Sequence, residues 1–125
     1  MNIFVFGSNL SGIHGAGAAK IAFQKHGARW GLGIGRSGSS YAIPTKGYRL
    51  IPISLAQVAS YINDFKYYAF TRPEHTFQVT CIGCGLAGFT NEEIAPLFAD
   101  APKNCFFDTE WKPILGEDKN YWGTY

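Results

Sequence analysis

One stretch constrains this chain more than any other: Thr80 to Phe98, reading TCIGCGLAGFTNEEIAPLF. The residues before Gly83, from Phe77 to Ile82, are apolar or β-branched except for Gln78 and predict a strand. Gly83, Gly85 and Gly88 follow, with only small or apolar residues between them. Thr90-Asn91-Glu92-Glu93 then has the form of a capping box, Thr at N-cap and Glu at N3, which opens a helix. Strand, glycine loop and helix N-terminus suit a phosphate. Glycines let backbone N–H groups come close, and the helix dipole favours an anion there. The alternative is that these glycines only serve a tight turn.

The rest of the chain repeats that alternation. Asn2 to Phe6 is an unalternating apolar run, so it reads as a strand buried on both faces. Gly7, Ser8 and Asn9 open a loop that continues through Gly12-Ile13-His14-Gly15. From Ala16 the pattern turns helical, and Ala16, Gly17, Ala18 and Ala19 predict first turns pressed closely against a sheet or a ligand. Gly27 is placed to end this helix. Tyr41 to Lys46 reads as a strand, with Pro44 placing it near a sheet edge or at the strand's end. Ser54 can cap a second helix whose Leu55, Val58, Ala59, Ile62, Phe65 and Ala69 share a face, and Arg72-Pro73 ends it. A third helix runs from Asn91 to about Ala99, with Pro96 kinking or shortening it. Asn104 to Asp108 is the last predicted strand. The tail, 109–125, carries Trp111, Tyr121, Trp122 and Tyr125, an aromatic set expected to pack back on the body.

The order β-α-β-α-β-α-β predicts parallel strands covered by helices, an α/β sandwich. At 125 residues a single domain is expected, with a core over 1–108 and the tail packed on it. Apolar residues are 46% and charged residues 16%, which excludes a disordered chain. The net charge of +2 is spread without a basic cluster, which argues against a nucleic-acid surface. No apolar run nears the roughly 18 residues of a membrane span, and no signal peptide is expected at the N-terminus. Three cysteines, an odd count, argue for a reducing, cytoplasmic setting. The oligomeric state is left open.

Ligands of open α/β sheets bind at the carboxyl ends of strands. Three segments should emerge there: Gly7–Gly17, Thr45-Lys46, and Gly83–Thr90. Two glycine-rich loops at one edge suit a diphosphate. Lys46 can be a phosphate contact, a nucleophile or a solvated side chain. His14 can touch a ligand, act as a base, or simply occupy the loop, and no acidic neighbour in sequence would orient it. His26 and His75 read as surface residues. Gly33 to Gly38 matches G-x-G-x-x-G, but it follows a helix and precedes a strand, the reverse of a dinucleotide fingerprint. Cys81 and Cys84 form C-x-x-C. A zinc site would need a second ligand pair, and only Cys105 is left, in a strand; a redox pair would want its first Cys at a helix N-terminus, whereas Cys81 is expected inside the strand. No metal and no cofactor is expected.

The chain resembles macro domains, the ADP-ribose-binding α/β/α module, and within them the branch of the glutamate-directed terminal ADP-ribose protein glycohydrolase. Ile82-Gly83-Cys84-Gly85-Leu86 with the Thr90–Phe98 helix carries the resemblance, as does Tyr41-Ala42-Ile43-Pro44-Thr45-Lys46. Asn9 with Gly12 to Ala19 is similar to the family's first ligand loop. The coverage is about residues 2–108. The combination FGSN, HGAGAA, SYAIPTK and IGCGLAG also resembles small macro-like proteins of bacteriophages. The resemblance implies a three-layer α/β/α sandwich binding ADP-ribose or an NAD-derived relative. Gly83, Cys84, Gly85, Leu86, Ala87, Gly88 and Phe89 would hold the diphosphate. Gly12, Ile13, His14, Gly15, Ala16 and Gly17 would flank the distal ribose, with Asn9 near its hydroxyls. Lys46 matches the lysine with which the hydrolases attack the distal ribose. Their releasing aspartate falls at Ala87, which favours a binder over an enzyme. The usual adenine-reading aspartate sits on a strand before the one leading to Gly7, and this chain begins at the latter; the tail aromatics could stack on the base instead. The implied partner is a small nucleotide, and the implied phage role is sequestration of a host defence signal. An ADP-ribosyl hydrolase working through Lys46 and a protein-interaction scaffold with an empty cleft are the alternatives.

Overall fold

The computed structural model of the chain describes residues 1–124; Tyr125, expected to join the aromatic tail, lies outside the described residues. Its elements run β1 (Asn2–Asn9), α1 (Gly17–Lys25), β2 (Gly35–Ser37), β3 (Ser40–Lys46), α2 (Leu55–Phe70), β4 (Thr76–Val79), α3 (Asn91–Ile94), β5 (Cys105–Asp108), α4 (Lys112–Leu115) and β6 (Asn120–Gly123). The strands form one sheet in the order β2-β3-β1-β4-β5-β6. Every pairing is parallel except β2 with β3.

The central strand β1 explains the layers. Its side chains alternate between the two faces, as the pleat requires. Ile3 and Val5 pack with Val58, Ile62 and Phe65 of α2, and with Ile94 and Phe98 below them. Phe4 and Phe6 point the other way, to Ala19 and Ala22 of α1. Helices therefore cover both faces of the sheet. Each fully buried Phe, such as Phe65, Phe77 or Phe98, contributes about 1.5–3 kcal/mol through removal of apolar area from water.

The predicted α/β order holds, with two additions. Six strands form among the described residues, not four. The segment Gly35–Ser37, inside the glycine-rich run after the first helix, pairs with Ser40–Ala42 as an antiparallel edge. The tail adds β6 beside β5, so Asn104–Asp108 does not contain the last strand. Because β2 covers only Ser40–Ala42, Pro44 lies beyond it, where β3 needs no donor for that neighbour.

The second helix carries the full capping box at Ser54 and Gln57, and buries Val58, Ile62, Phe65 and Ala69. The third helix is α-helical only to Ile94. Pro96 lacks an N–H, and Ala95–Phe98 tightens into a 3₁₀ turn. Trp111 is completely buried against Phe98 and Phe107, and its indole N–H donates to Asn91 Oδ1 at 2.8 Å. Trp122 donates to the Val79 carbonyl at 2.9 Å, and Tyr121 to that of Gly116 at 2.6 Å, so Trp111 and Trp122 of the described tail are tied to the body. No helix among the described residues is long and apolar enough to cross a membrane.

Candidate functional site

The strand expected to run from Phe77 to Ile82 ends at Val79. Thr80 turns both its N–H and its hydroxyl onto the Val5 carbonyl, at 3.1 and 2.7 Å, and the Ile82 N–H then bonds the Thr80 carbonyl. The chain leaves the sheet there. Cys81, expected inside the strand, is thus half-buried in a loop. That loop faces the one after β1, and between them lies a cavity of about 530 Å³ at the carboxyl ends of β1, β3 and β4. The size is that of a small-molecule site.

Each wall has a local cause. Gly7 ends its apolar run so close to the second loop that a Cβ there would stand 3.2 Å from the Gly83 nitrogen. Asn9 folds back on its own loop: its amide donates to the Ile13 carbonyl and its Oδ1 accepts the Ile13 N–H, at 2.9 and 3.0 Å. Its carboxamide shapes the loop as well as lining the cavity. Thr45 donates to the Ser8 carbonyl at 3.2 Å, and Ser8 donates to the Gly33 carbonyl. These buried polar side chains lock the strand ends together. Lys46 is half-buried at the end of β3 and lines the cavity.

The helix N-terminus available to a ligand is not the one the sequence singles out. At α3, Thr90 Oγ1 accepts the Glu93 N–H at 3.1 Å while the Glu93 carboxylate accepts the Thr90 N–H at 2.9 Å. The reciprocal cap satisfies that end and sets a negative charge on it, so an anion has nothing to gain there. α1 is the opposite case. Its N-cap residue, Ala16, makes no side-chain cap, its first turn holds no acidic residue, and Ala16, Gly17, Ala18 and Ala19 line the cavity. Its orphan N–H groups therefore open onto the cleft. Across from them the amides of Gly85, Leu86 and Ala87 donate to no partner among the described residues.

Of the predicted ligand residues, Gly7, Ser8, Asn9, Ile13, Gly15, Ala16, Gly17, Thr45, Lys46, Gly83, Gly85, Leu86 and Ala87 come together around the cavity. Five do not line it. His14 is turned away and buried, 1% exposed, against the rings of Phe6, Phe23 and Trp30. Its Nε2–H donates to the carbonyls of Arg29 and Leu32, at 2.8 and 3.2 Å, so it pins the loop from behind. Gly12 is buried, its carbonyl taking the Gly31 N–H at 2.8 Å. Cys84 donates back to the Ile82 carbonyl at 3.3 Å. Gly88 supplies a positive-φ turn, and Phe89 packs into the main core. Of the two histidines read as surface residues, His26 is half-buried and stacks on Phe4 at 4.4 Å, and His75 is half-buried beside Phe77.

Leu50, Thr80, Cys81 and Ile82 also line the cavity and were not among the expected residues. Thr80 to Ile82 could have been found from their place at the carboxyl end of the predicted strand, immediately before Gly83. Nothing in the sequence marks Leu50. It belongs to a strap, Gly47–Pro52, closed by Gly47 N–H to the Ile51 carbonyl at 2.7 Å and tied to the first loop by Arg49 N–H to Ser11 Oγ at 2.9 Å. Arg49 and Leu50 both sit at positive φ, 55° and 61°. That conformation costs a residue with a Cβ about 1–2 kcal/mol, and glycine returns part of the gain as chain entropy. Arg49→Gly keeps the backbone bond to Ser11, and we expect it to raise stability by about 0.5–1 kcal/mol in urea unfolding.

Burial pushes the Cys81 thiol up, aided by Asp108 and Glu110; burial pushes Cys84 up to about 11, aided by Glu110, Glu92 and Glu93. Both stay protonated at neutral pH, so this C-x-x-C does not present a reactive thiolate.

A solved structure of a protein of unknown function from Bacteroides thetaiotaomicron is similar to this chain, with a TM-score of 0.56, 16% identity and 81% of each chain covered. At that identity the likeness carries the fold alone. No family model matches the chain, and no curated protein matches it.

Proposed function

We propose that the cleft binds ADP-ribose or a related NAD-derived nucleotide, such as a cyclic ADP-ribose isomer, and does so as a macro-like binding domain. The observation that carries this reading is the pairing of two sets of backbone donors across one cavity. The uncapped N-terminus of α1 stands on one side and the amides of Gly85–Ala87 on the other. Among the described residues Lys46 is the only Lys or Arg lining the space. Two facing donor sets match the two phosphates of a diphosphate better than one set would. Asn9 and Ile13 then border the ribose beyond.

Binding without turnover is the form we favour. Among the described residues no Asp, Glu or His lines the cavity, and Ala87 falls where the hydrolases that the sequence resembles carry their releasing acid. An imine formed at Lys46 would find no carboxylate among the described residues that line the cavity to resolve it. In a bacteriophage such a domain would sequester a nucleotide defence signal.

Titration calorimetry with ADP-ribose and its cyclic isomers tests the reading; absence of heat with all of them would sink it. Lys46→Ala removes one charge-assisted contact to phosphate, worth about 1.5–3 kcal/mol, so affinity should fall about 10- to 100-fold. Incubation with mono-ADP-ribosylated protein separates binder from hydrolase. We expect no release of ADP-ribose; release by the wild type that Lys46→Ala abolishes would make Lys46 catalytic.

A further inference from the structure

The cleft has a second chemical feature on its β4 side. Cys81 leaves β4, and Asp108 and Glu110 leave the end of β5, so three side chains meet where two parallel strands stop. One ligand atom from each, the Cys81 sulfur and a carboxylate oxygen of Asp108 and of Glu110, lies within 4.8 Å of the others. The Cys81 sulfur is 3.7 Å from Glu110 Oε2. The group contains no cation. Asp108 is 2% exposed, and among the described residues its carboxylate accepts from neutral donors: the Glu110 N–H and the Thr124 hydroxyl, both at 2.9 Å, and the Cys81 thiol. No Lys, Arg or His pairs with it among the described residues. A carboxylate this deep is ordinarily paired with a cation or bound to a metal. Glu92 and Glu93 add to the negative field on the neighbouring Cys84. A site with so much negative charge, next to a cavity whose other donors suit an anion, lacks a positive centre.

We propose that Cys81, Asp108 and Glu110 form a zinc site whose open fourth position faces the cleft. Cys81 lines that cavity, so a ligand oxygen or a water could complete the coordination there. One sulfur and two carboxylate oxygens suit a borderline-soft ion that accepts both donor types in four-coordinate geometry, and three protein ligands with a free position is the pattern of an open zinc site. On binding, the Cys81 thiol gives up its proton to solvent and the thiolate bonds the metal. Cys84 and Cys105 take no part. Cys84 is turned to the Ile82 carbonyl, and Cys105 is buried in β5.

The test uses metal alone and needs no nucleotide, so its failure leaves the nucleotide reading standing, and the reverse. The demetallated full chain is titrated with Zn²⁺ against a chromophoric chelator, and with Co²⁺ while the thiolate-to-cobalt band in the near ultraviolet is followed. We expect uptake of one equivalent with that band present. Cys84→Ala should bind as the wild type does. Cys81→Ala should abolish the band and weaken Zn²⁺ at least about 100-fold, and Glu110→Gln, at an exposed position, should weaken it about 10-fold. No uptake in molar excess of Zn²⁺, or uptake without the thiolate band, overturns the site. So does unchanged affinity in Cys81→Ala; should that variant misfold, equal affinity of Glu110→Gln and wild type overturns it instead.

Discussion

Gly33→Ala should cost at least about 3 kcal/mol and take ligand binding with it. A Cβ at Gly33 would stand 1.9 Å from the Asn9 carbonyl oxygen, 2.9 Å from its carbon and 3.2 Å from Leu10 Cα. All three are backbone atoms, so no rotamer change relieves the overlap. The same Asn9 carbonyl accepts the Gly12 N–H at 3.0 Å, and Gly33 accepts from Ser8. Moving either chain therefore breaks the ties that shape the first loop, and Asn9 and Ile13 line the cavity. Gly31→Ala is the control. It lies two residues away at φ +89°, with no atom within 4 Å of the added Cβ, so it should show backbone strain alone, about 1–2 kcal/mol. Urea midpoints for both variants, followed by nucleotide titration of whatever remains folded, check the pair. Similar losses in the two variants would mean that the close packing of Gly33 on Asn9 is not what holds the loop.

That packing also shows what could be read along the chain and what could not. The long elements were readable from their apolar patterns: the unbroken run Ile3 to Phe6 for a strand buried on both sides, and the helical spacing of Val58, Ile62, Phe65 and Ala69 for a helix face. The edge strands were not. Gly35-Arg36-Ser37 and Asn120–Gly123 are short and mostly half-exposed, and only a neighbour's backbone selects them. The G-x-G-x-x-G match beginning at Gly33 was rightly set aside as a dinucleotide fingerprint. Its first glycine is needed instead for the close approach to Asn9, a contact 24 residues apart in sequence.

The site was readable as a set of loops but not as a set of donors. The capping box at Thr90 could be recognised from its residues. That it closes the helix end to an anion follows only from seeing both of its hydrogen bonds made. The open end, at Ala16, is marked by an absence, since no Ser, Thr, Asp or Asn stands at the N-cap. His14 was ambiguous because its surroundings come from Phe6, Phe23 and Trp30, which local sequence does not bring together. Asp108 and Glu110 approach Cys81 only because β4 and β5 are adjacent.

Gly85→Leu separates fold from function more cleanly than any change at Lys46. Gly85 lines the cavity, has no atom within 4 Å of an added Cβ, and is not among the positive-φ glycines. The Cβ of a leucine there meets no overlap and its backbone no positive-φ strain, so stability should stay within about 0.5 kcal/mol of wild type. Because Gly85 lines the cavity with Leu86 and Ala87, its side chain is expected to take space beside their amides. A diphosphate drawn to those amides would have to leave them unpaired or displace the leucine, and ADP-ribose affinity should fall at least about 100-fold. Gly83→Ala, two residues earlier, should do the reverse. At φ +76° and 3.3–3.4 Å from Phe89, Ile94 and Thr45, it disturbs packing before it disturbs ligand. Thermal unfolding and calorimetry on both variants give four numbers. The cleft reading requires Gly85→Leu to be folded and unable to bind, and Gly83→Ala to lose stability. A Gly85→Leu protein that still takes up ADP-ribose with wild-type affinity would move the ligand out of this cavity, whatever Lys46→Ala does, because a surface lysine can weaken an anion from a distance and a leucine can block only the space it fills.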